Sequence, residues 1–330
     1  MKTIKAIKFL SEGTSTISLA KVSNQIDYYI SLEYSYNGID WDKWDFSSLT
    51  LNSSETLYIR GNNPTGFCRN DEFYTFIIKG DKVSCSGNIM SLIDYKSLPD
   101  IIPNSFCFCR LFKNCNALTT APELPATKLT DRCYCSMFSG CTSLIKAPEL
   151  PVKTMTDFCY SYMFSGCYSL VTAPELPATE LADSCYYRMF SDCASLKIAP
   201  KLPAKTLADS CYESMFSGCS SLTSAPELPA TELADSCYCR MFSCCSSLTI
   251  APKLPATKLA DWCYSGMFFG CTSLKTAPEL PAKRLVDFCY RSMFSECTAL
   301  IAKPELPVTE LANGCYYRMF KGCTLLKDEQ

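Results

Sequence analysis

The dipeptide Met-Phe returns at Met137, Met163, Met189, Met215, Met241, Met267, Met293 and Met319, in steps of 26 residues without insertion. Leu111-Phe112 is a degenerate copy one step earlier. A fixed period between 20 and 50 residues is the signature of a solenoid, propeller or array, and it constrains the fold more than any single residue does. The consensus unit is L-x-x-A-P-E-L-P-A-x-x-L-A-D-x-C-Y-x-x-M-F-x-G-C-x-S-L. One unit cannot fold alone. Its half-dozen large apolar side chains contribute about 1.5–3 kcal/mol each when fully buried, against roughly 1–2 kcal/mol for each backbone residue ordered. The balance favours folding only when neighbours stack, share a core and pair their short strands, as in a solenoid. At ~4.8 Å per coil, nine coils make a stack roughly 43 Å long.

Within a unit, Leu118, Ala121 and Leu124 are spaced as an inward-facing extended segment. Pro122 and Pro125 follow and cannot donate to a ladder, so the paired strand is expected to be only three or four residues, around Leu118 to Ala121. A second extended piece begins at Leu129. Asp131 fits a helix N-cap. Cys133, Tyr134, Met137, Phe138 and Cys141 then fall at i, i+1, i+4, i+5 and i+8, which predicts one face of a short helix. Gly140 and its equivalents Gly166, Gly218, Gly270 and Gly322 stand where that helix should end.

Of the 24 cysteines, one series runs from Cys107 to Cys315 and another from Cys115 to Cys323, both in steps of 26. Cys68, Cys85, Cys109, Cys135, Cys239 and Cys244 remain outside them. Eight residues of helix rise about 12 Å, too far for a disulfide within a unit. No C-x-x-C occurs, which removes the usual zinc-ribbon and redox spacings. The series therefore read as ladders of small buried hydrophobes, with cross-coil disulfides or metal as the alternative. The extra members of the C-x-C pairs at Cys109, Cys135 and Cys239, and Cys244 beside Cys245, are expected to point away from the core.

The string C-Y-x-x-M-F-x-G-C-x-S-L-x-x-A-P-x-L-P-A, as at Cys211 to Ala230, resembles the BspA-like leucine-rich-repeat family, and the resemblance covers about residues 89–330. The preceding GNIMSLIDY, Gly87 to Tyr95, is similar to that family's approach to its first coil. The resemblance implies a leucine-rich-repeat solenoid of about nine coils, each a short β-strand plus a short helix. It also implies adhesion or ligand recognition in place of catalysis, in a setting such as gut Bacteroides or their bacteriophages.

Residues 1–88 carry no repeat. Alternating or β-branched runs at Thr16–Leu19, Tyr28–Leu32, Leu49–Leu51, Leu57–Ile59 and Phe73–Ile78 are separated by turn signals. Five to seven short strands of this kind predict a small all-β, sandwich-like domain. Asn37-Gly38 reads as a hairpin turn, and Trp41 and Trp44 after it read as hairpin packing, with a ligand platform as the alternative. The domain is expected to cap the open end of the solenoid and to anchor it to other virion or surface-assembly proteins. The polar stretch Lys327-Asp328-Glu329-Gln330 is expected to fray or to be buried against a partner.

Histidine is absent, which excludes Ser-His-Asp and Cys-His catalysis and every His metal ligand. No catalytic motif, cofactor or metal site is expected, and the chain reads as a non-enzyme. A net charge of −2 gives no basic footprint for nucleic acid. The start alternates apolar and polar residues and lacks the h-region of a signal peptide. No stretch reaches the roughly 18 apolar residues of a membrane span. This favours a virion-associated or non-classically exported protein over a Sec-exported one, without direct membrane insertion.

Repeated positions build the scaffold, so positions that vary between units are candidate contacts. One variable strip flanks the Cys-Tyr pair and carries Phe158, Tyr162, Tyr187, Arg188, Arg240, Trp262, Phe288, Arg291, Tyr317 and Arg318. Aromatic residues with arginines are the usual anchors of recognition surfaces, and the expected partner is a cell-surface glycan or protein; the alternative, equal in weight at Trp262 and favoured at the others, is that each aromatic packs on its neighbouring coil. A second column, Glu123, Glu149, Glu175, Lys201, Glu227, Lys253, Glu279 and Glu305, reads as a solvated face. One carboxylate per coil does not supply the six to eight oxygens calcium takes. The alternative function is structural: the array as a spacer, with residues 1–88 docking to a larger particle.

Overall fold

The structure is a computed structural model and describes residues 4–23, 28–69, 72–306 and 310–326. The polar stretch at 327–330 lies outside these. The amino-terminal region holds β1 (Ile7–Ser11), β2 (Ser15–Val22), β3 (Leu32–Ser35), β4 (Asp42–Lys43), β5 (Leu49–Leu51), β6 (Thr56–Gly61), β7 (Cys68–Arg69), β8 (Glu72–Gly80) and β9 (Val83–Ser86). A short helix α1 (Ser91–Asp94) and a strand β10 (Leu118–Thr120) follow. One sheet runs β10-β9-β1-β6-β3-β4 and the other β5-β2-β8-β7. Burial alternates along β2 and β8, the period-2 pattern of strands with one covered face. The covered faces meet where Phe9 of β1 packs on Phe76 of β8, ring centroids 5.6 Å apart.

Asn37-Gly38 does lie in a hairpin, because Glu33 and Tyr34 pair with Lys43 and Asp42. Its loop is longer than a two-residue turn, and Asn37 Oδ1 organises it by accepting the Ile39 and Asp40 N–H groups. Trp44 is buried, stacked on Phe76, and Trp41 lies against the Arg60 guanidinium at 3.7 Å. Both tryptophans are packing residues.

The sheets run into the repeats without a gap. Strand β10 pairs in parallel with β9, and Phe112 stacks on Phe76 at 4.8 Å. Beyond it, single bridging residues link successive units over part of the stack: Thr120 to Lys146, Lys146 to Thr172, Thr172 to Ile198, Ile198 to Ser224 and, further on, Thr276 to Ala302. A second series links Thr154 to Glu180 and Glu232 to Lys258. The three- or four-residue strand expected at 118–121 is thus present in the first unit, where it pairs with β9, and reduced to single bridging residues later.

The short helix expected from Asp131 to Gly140 is not a helix; among the described residues α1 is the only α-helix. The segment is a ribbon of linked turns. Cys133, Cys135, Met137 and Ser139 donate their N–H groups to carbonyls three residues back. Arg132, Tyr134, Ser136, Phe138 and Gly140 donate instead to Asp157, Cys159, Ser161, Met163 and Ser165 of the next unit. A helix keeps its backbone donors to itself, whereas this ribbon gives alternate donors to its neighbour, so the units stack by hydrogen bonding as well as by apolar contact.

Every fourth residue of the ribbon is left-handed: Arg132 (φ 56°), Ser136 (φ 54°), Gly140 (φ 76°), and so on through Arg318 and Gly322. Gly140 and its equivalents are therefore one of three left-handed columns and do not cap a helix. No Val, Ile or Thr occupies these columns, as β-branched side chains fit that region worst. The expected N-cap aspartates act between units. The Asp157 carboxylate accepts the Asp183 N–H at 3.2 Å, and the same bond repeats through Asp209, Asp235, Asp261 and Asp287 to Asn313.

Two residues face in, then two face out, so the inward pairs form columns. Tyr134, Tyr160, Tyr186 and Tyr212 stack at 5.7–6.0 Å, and Phe138, Phe164, Phe190 and Phe216 at 5.6–5.7 Å. The cysteines of both series line the same core, and all 24 are free thiols. In the second series the thiol also serves as a donor, as where Cys141 Sγ reaches the Phe112 carbonyl at 3.0 Å and Cys219 Sγ that of Phe190 at 3.1 Å. Burial pushes the thiols up, to about 12 at Cys141, Cys159 and Cys211.

Of the cysteines expected to point outward, Cys109 and Cys239 are buried, Cys135 is half-buried and only Cys244 is exposed. Cys109 lies against Cys68 of β7, under the amino-terminal sheets. In the native protein near neutral pH, a thiol reagent is expected to label Cys244 first, and all 24 thiols are expected to react in denaturant without reductant. Peptide mapping of the labelled protein checks this; rapid native labelling of the ladder positions, or a shortfall after denaturation, contradicts the buried-thiol core.

Candidate functional site

The outward pairs of the turn ribbon form one continuous ridge, and all ten variable-strip residues lie on it. Seven of them occupy left-handed positions: Phe158, Tyr162, Arg188, Arg240, Trp262, Phe288 and Arg318. That conformation costs an L-residue roughly 1–2 kcal/mol. Neighbouring units fill the same columns with Ser184, Ser210, Ser236, Gly266 and Gly314. The backbone of the stack therefore gains nothing from a large side chain there.

The ridge gathers eight of the ten into two clusters. In the first, the Tyr162 and Tyr187 rings meet edge to face at 5.1 Å, and the Arg188 guanidinium sits 5.8 and 5.5 Å from their centroids. The phenol groups of Tyr162 and Tyr187 hydrogen-bond, and burial together with that bond pushes the Tyr187 hydroxyl up to about 12. In the second, Trp262 and Phe288 stack at 4.2 Å. Arg291 lies 5.2 Å from Trp262, 5.6 Å from Phe288 and 5.3 Å from Tyr317, and Arg318 caps Tyr317 at 4.9 Å. Glycine makes room for this arrangement: a Cβ at Gly314 would stand 2.6 Å from the Phe288 ring, and one at Gly266 would stand 3.2 Å from Arg240 Cγ.

Between Phe158 and Trp262 the same column carries Ser184, Ser210 and Ser236. Four unit steps of ~4.8 Å separate the two aromatics by roughly 19 Å. In that one column, therefore, three serines separate an aromatic residue at either side. Arg240 stands exposed along its edge, while Phe158, Tyr162, Trp262 and Phe288 are half-buried. Among the described residues Arg188, Arg240, Arg291 and Arg318 make no ion pair, and Arg188 Nε is buried without an acceptor. Arg188, Arg291 and Arg318, set against rings and without an ion pair, suit an anionic or hydrogen-bond-accepting ligand.

Sequence reasoning passed over Arg132, which lies between Phe106 (5.4 Å) and Phe158 (4.3 Å) and extends the strip towards the amino-terminal sheets. The signal that marks it is the period of four, since Phe106, Arg132 and Phe158 share one left-handed column. The Glu and Lys column from Glu123 to Glu305 is exposed throughout. Among the described residues no group of three His, Cys, Asp or Glu is arranged to hold a metal, and no helix is long and apolar enough to cross a membrane. A recess of about 570 Å³ lies beside the second extended segment, with Lys128, Lys153, Val152 and Thr156 in its wall, and no strip residue lines it. No family model matches the chain, and no curated protein or solved structure is similar to it.

Proposed function

We propose that the chain is a non-enzymatic recognition protein, a leucine-rich-repeat type of solenoid whose turn ridge binds a cell-surface glycan or protein carrying acidic groups. One observation carries this reading. Large aromatic and arginine side chains are held at left-handed positions on the outer ridge, where the neighbouring units place Ser or Gly at lower conformational cost. The unpaired arginines and the aromatic platforms give such a ligand stacking surfaces and charge-assisted donors. In this reading residues 1–88 cap the stack and connect it to a larger assembly, on a phage tail or a bacterial surface.

The test is binding of the fluorescently labelled full-length protein to intact cells from a panel of gut bacteria, beside a Trp262→Ser, Phe288→Ser variant. Saturable, strain-selective binding by the parent is expected, with at least about tenfold weaker binding by the variant, as hot-spot anchors give on truncation. The melting temperature of the variant is expected to hold or rise, because serine relieves a large ring at two left-handed positions. Binding that survives the double substitution removes the strip from the reading. Absence of binding by the folded parent favours the spacer role instead.

A further inference from the structure

Where the second extended segments lie side by side, pairing between units is interrupted. Ile101 bridges Lys128, Thr154 bridges Glu180 and Glu232 bridges Lys258, but no bridge joins Lys128 to Thr154. The individual bonds show the same break. Met155 donates its N–H to the Glu180 carbonyl and Leu233 to that of Lys258, at 2.8 and 3.0 Å, whereas the equivalent bond from Leu129 to Thr154 is not made. Thr130 donates its hydroxyl to the Asn104 carbonyl of the unit before, at 2.7 Å. Its counterpart Thr156 makes no such bond to Thr130, and its hydroxyl is buried with only the Cys159 thiol beside it.

The two segments therefore stand apart, and the recess of about 570 Å³ lies between them. That volume is within the range of small-molecule sites, roughly 300–1,000 Å³. Residues of its wall carry unused donors. Lys128 and Lys153 border it, and among the described residues neither makes an ion pair. The N–H groups of Lys128, Leu129, Lys153 and Thr154 find no backbone acceptor among the described residues. Buried Leu129 and Val152, with Pro151, add apolar surface. A carboxylate stands at each side: the Thr127 hydroxyl lies 3.4 Å from Asp100 Oδ2, and the Thr154 hydroxyl donates to Glu180 Oε2 at 2.9 Å.

Two ammonium groups without carboxylate partners favour a ligand with an acidic group. A purely apolar acid would leave the flanking carboxylates without donors, whereas a ligand that also carries hydroxyls serves both. We propose that this recess binds an acidic sugar of monosaccharide size. Its acidic group lies towards Lys128 and Lys153, its hydroxyls towards the Asp100 and Glu180 carboxylates, and one C–H face against Leu129 and Val152. None of the aromatic or arginine residues of the ridge borders the recess, so this inference is independent of what the ridge binds.

The test titrates the isotopically labelled full-length protein with glucuronate and with glucose 6-phosphate and follows its amide signals. Glucose and inorganic phosphate are the controls. Saturable shifts confined to the two segments at the recess are expected from at least one acidic sugar, which also decides between a carboxylate and a phosphate as the acidic group. Glucose lacks the charge and inorganic phosphate lacks the sugar body, so each is expected to bind at least about tenfold more weakly. The repeat itself accepts the substitutions needed: Lys128→Glu places there the residue type of Glu180 and Glu232, and Lys153→Thr that of Thr127, Thr179 and Thr231. This double variant is expected to keep its melting temperature and to bind the sugar at least about tenfold more weakly, as loss of charge-assisted contacts gives. Lys201→Glu with Lys253→Glu changes the net charge by more but lies outside the recess, and is expected to leave the affinity within about twofold. Absence of saturable shifts with both acidic sugars overturns the proposal. So does equal weakening by the two double variants, or inorganic phosphate binding as tightly as the sugars.

Discussion

Raising the pH above roughly 9 is expected to unfold this protein cooperatively, well before an ordinary domain of its size responds. The ladder thiols are the cause. Burial holds Cys133, Cys167, Cys185, Cys193, Cys237 and Cys245 well above the normal thiol range and places Cys141, Cys159, Cys211 and Cys297 at about 12. In the unfolded chain the same groups lose their protons near about 8.5. Between those two limits the unfolded state binds fewer protons than the native state, so stability falls as pH rises. Each such thiol removes about 1.4 kcal/mol per pH unit. Ten together remove on the order of 10 kcal/mol per unit, comparable to the whole stability of a domain. The buried column from Tyr134 to Tyr264, also pushed up by burial, adds to the loss above about pH 10. Below about pH 8 neither series contributes. Thermal or urea midpoints measured in reductant at stepped pH check the slope. A profile that stays flat to pH 11 contradicts a core of protonated thiols, and replacing Cys193 and Cys219 by Ala should make the fall shallower.

Much of this fold was legible in the sequence, because a strict repeat leaves few ways to bury its apolar positions. The inward set Cys133, Tyr134, Met137, Phe138 and Cys141 was read correctly; its period was not. Offsets of 0, 1, 4, 5 and 8 suit a helix of 3.6 residues per turn and equally a ribbon of four. The deciding signal lies on the outward residues. Gly140 stands four after Ser136 and eight after Arg132, and glycine occurs in all three columns, at Gly140, Gly166, Gly218, Gly270 and Gly322 in one, at Gly266 in the second and at Gly314 in the third. A left-handed residue at every fourth position excludes a right-handed helix. The same columns never carry Val, Ile or Thr, a restriction that a solvent-facing helix surface does not impose.

The site was legible as a list of residues and not as a shape. Variation between units picked out Tyr162, Tyr187, Trp262 and Arg291, but only the ring geometry gathers them into two clusters. Arg132 was missed because arginine beside a Cys-Tyr pair looks like an ordinary surface residue until Phe106 and Phe158 are placed above and below it. At one repeat position Cys109 and Cys239 are buried and Cys135 is half-buried, a spread that the repeat pattern alone does not give. Local pattern fixes which face a residue takes within its unit, and the contacts made by neighbouring elements decide how much of that face stays open.

Phe216→Ala is expected to cost about 3–5 kcal/mol, the range for removing a buried aromatic ring, and to divide the stack. Phe216 is fully buried between Phe190 at 5.7 Å and Phe242 at 5.8 Å. Its removal opens a void that both neighbours border, and the surrounding backbone cannot close it, because the ribbon is tied to the next unit through Phe216 N–H and the Met241 carbonyl. The same substitution at Phe320 removes a half-buried ring stacked on Phe294 alone among the described residues, and is expected to cost less than half as much. The contrast tests whether stability is a sum of nearest-neighbour terms. If it is, the central substitution uncouples the units on either side, so denaturant unfolding broadens or splits with a lower slope. The terminal substitution then frays one unit and leaves the main transition in place. Equal costs at the two positions would mean that the rings contribute as isolated side chains and that the columns carry no coupling along the stack.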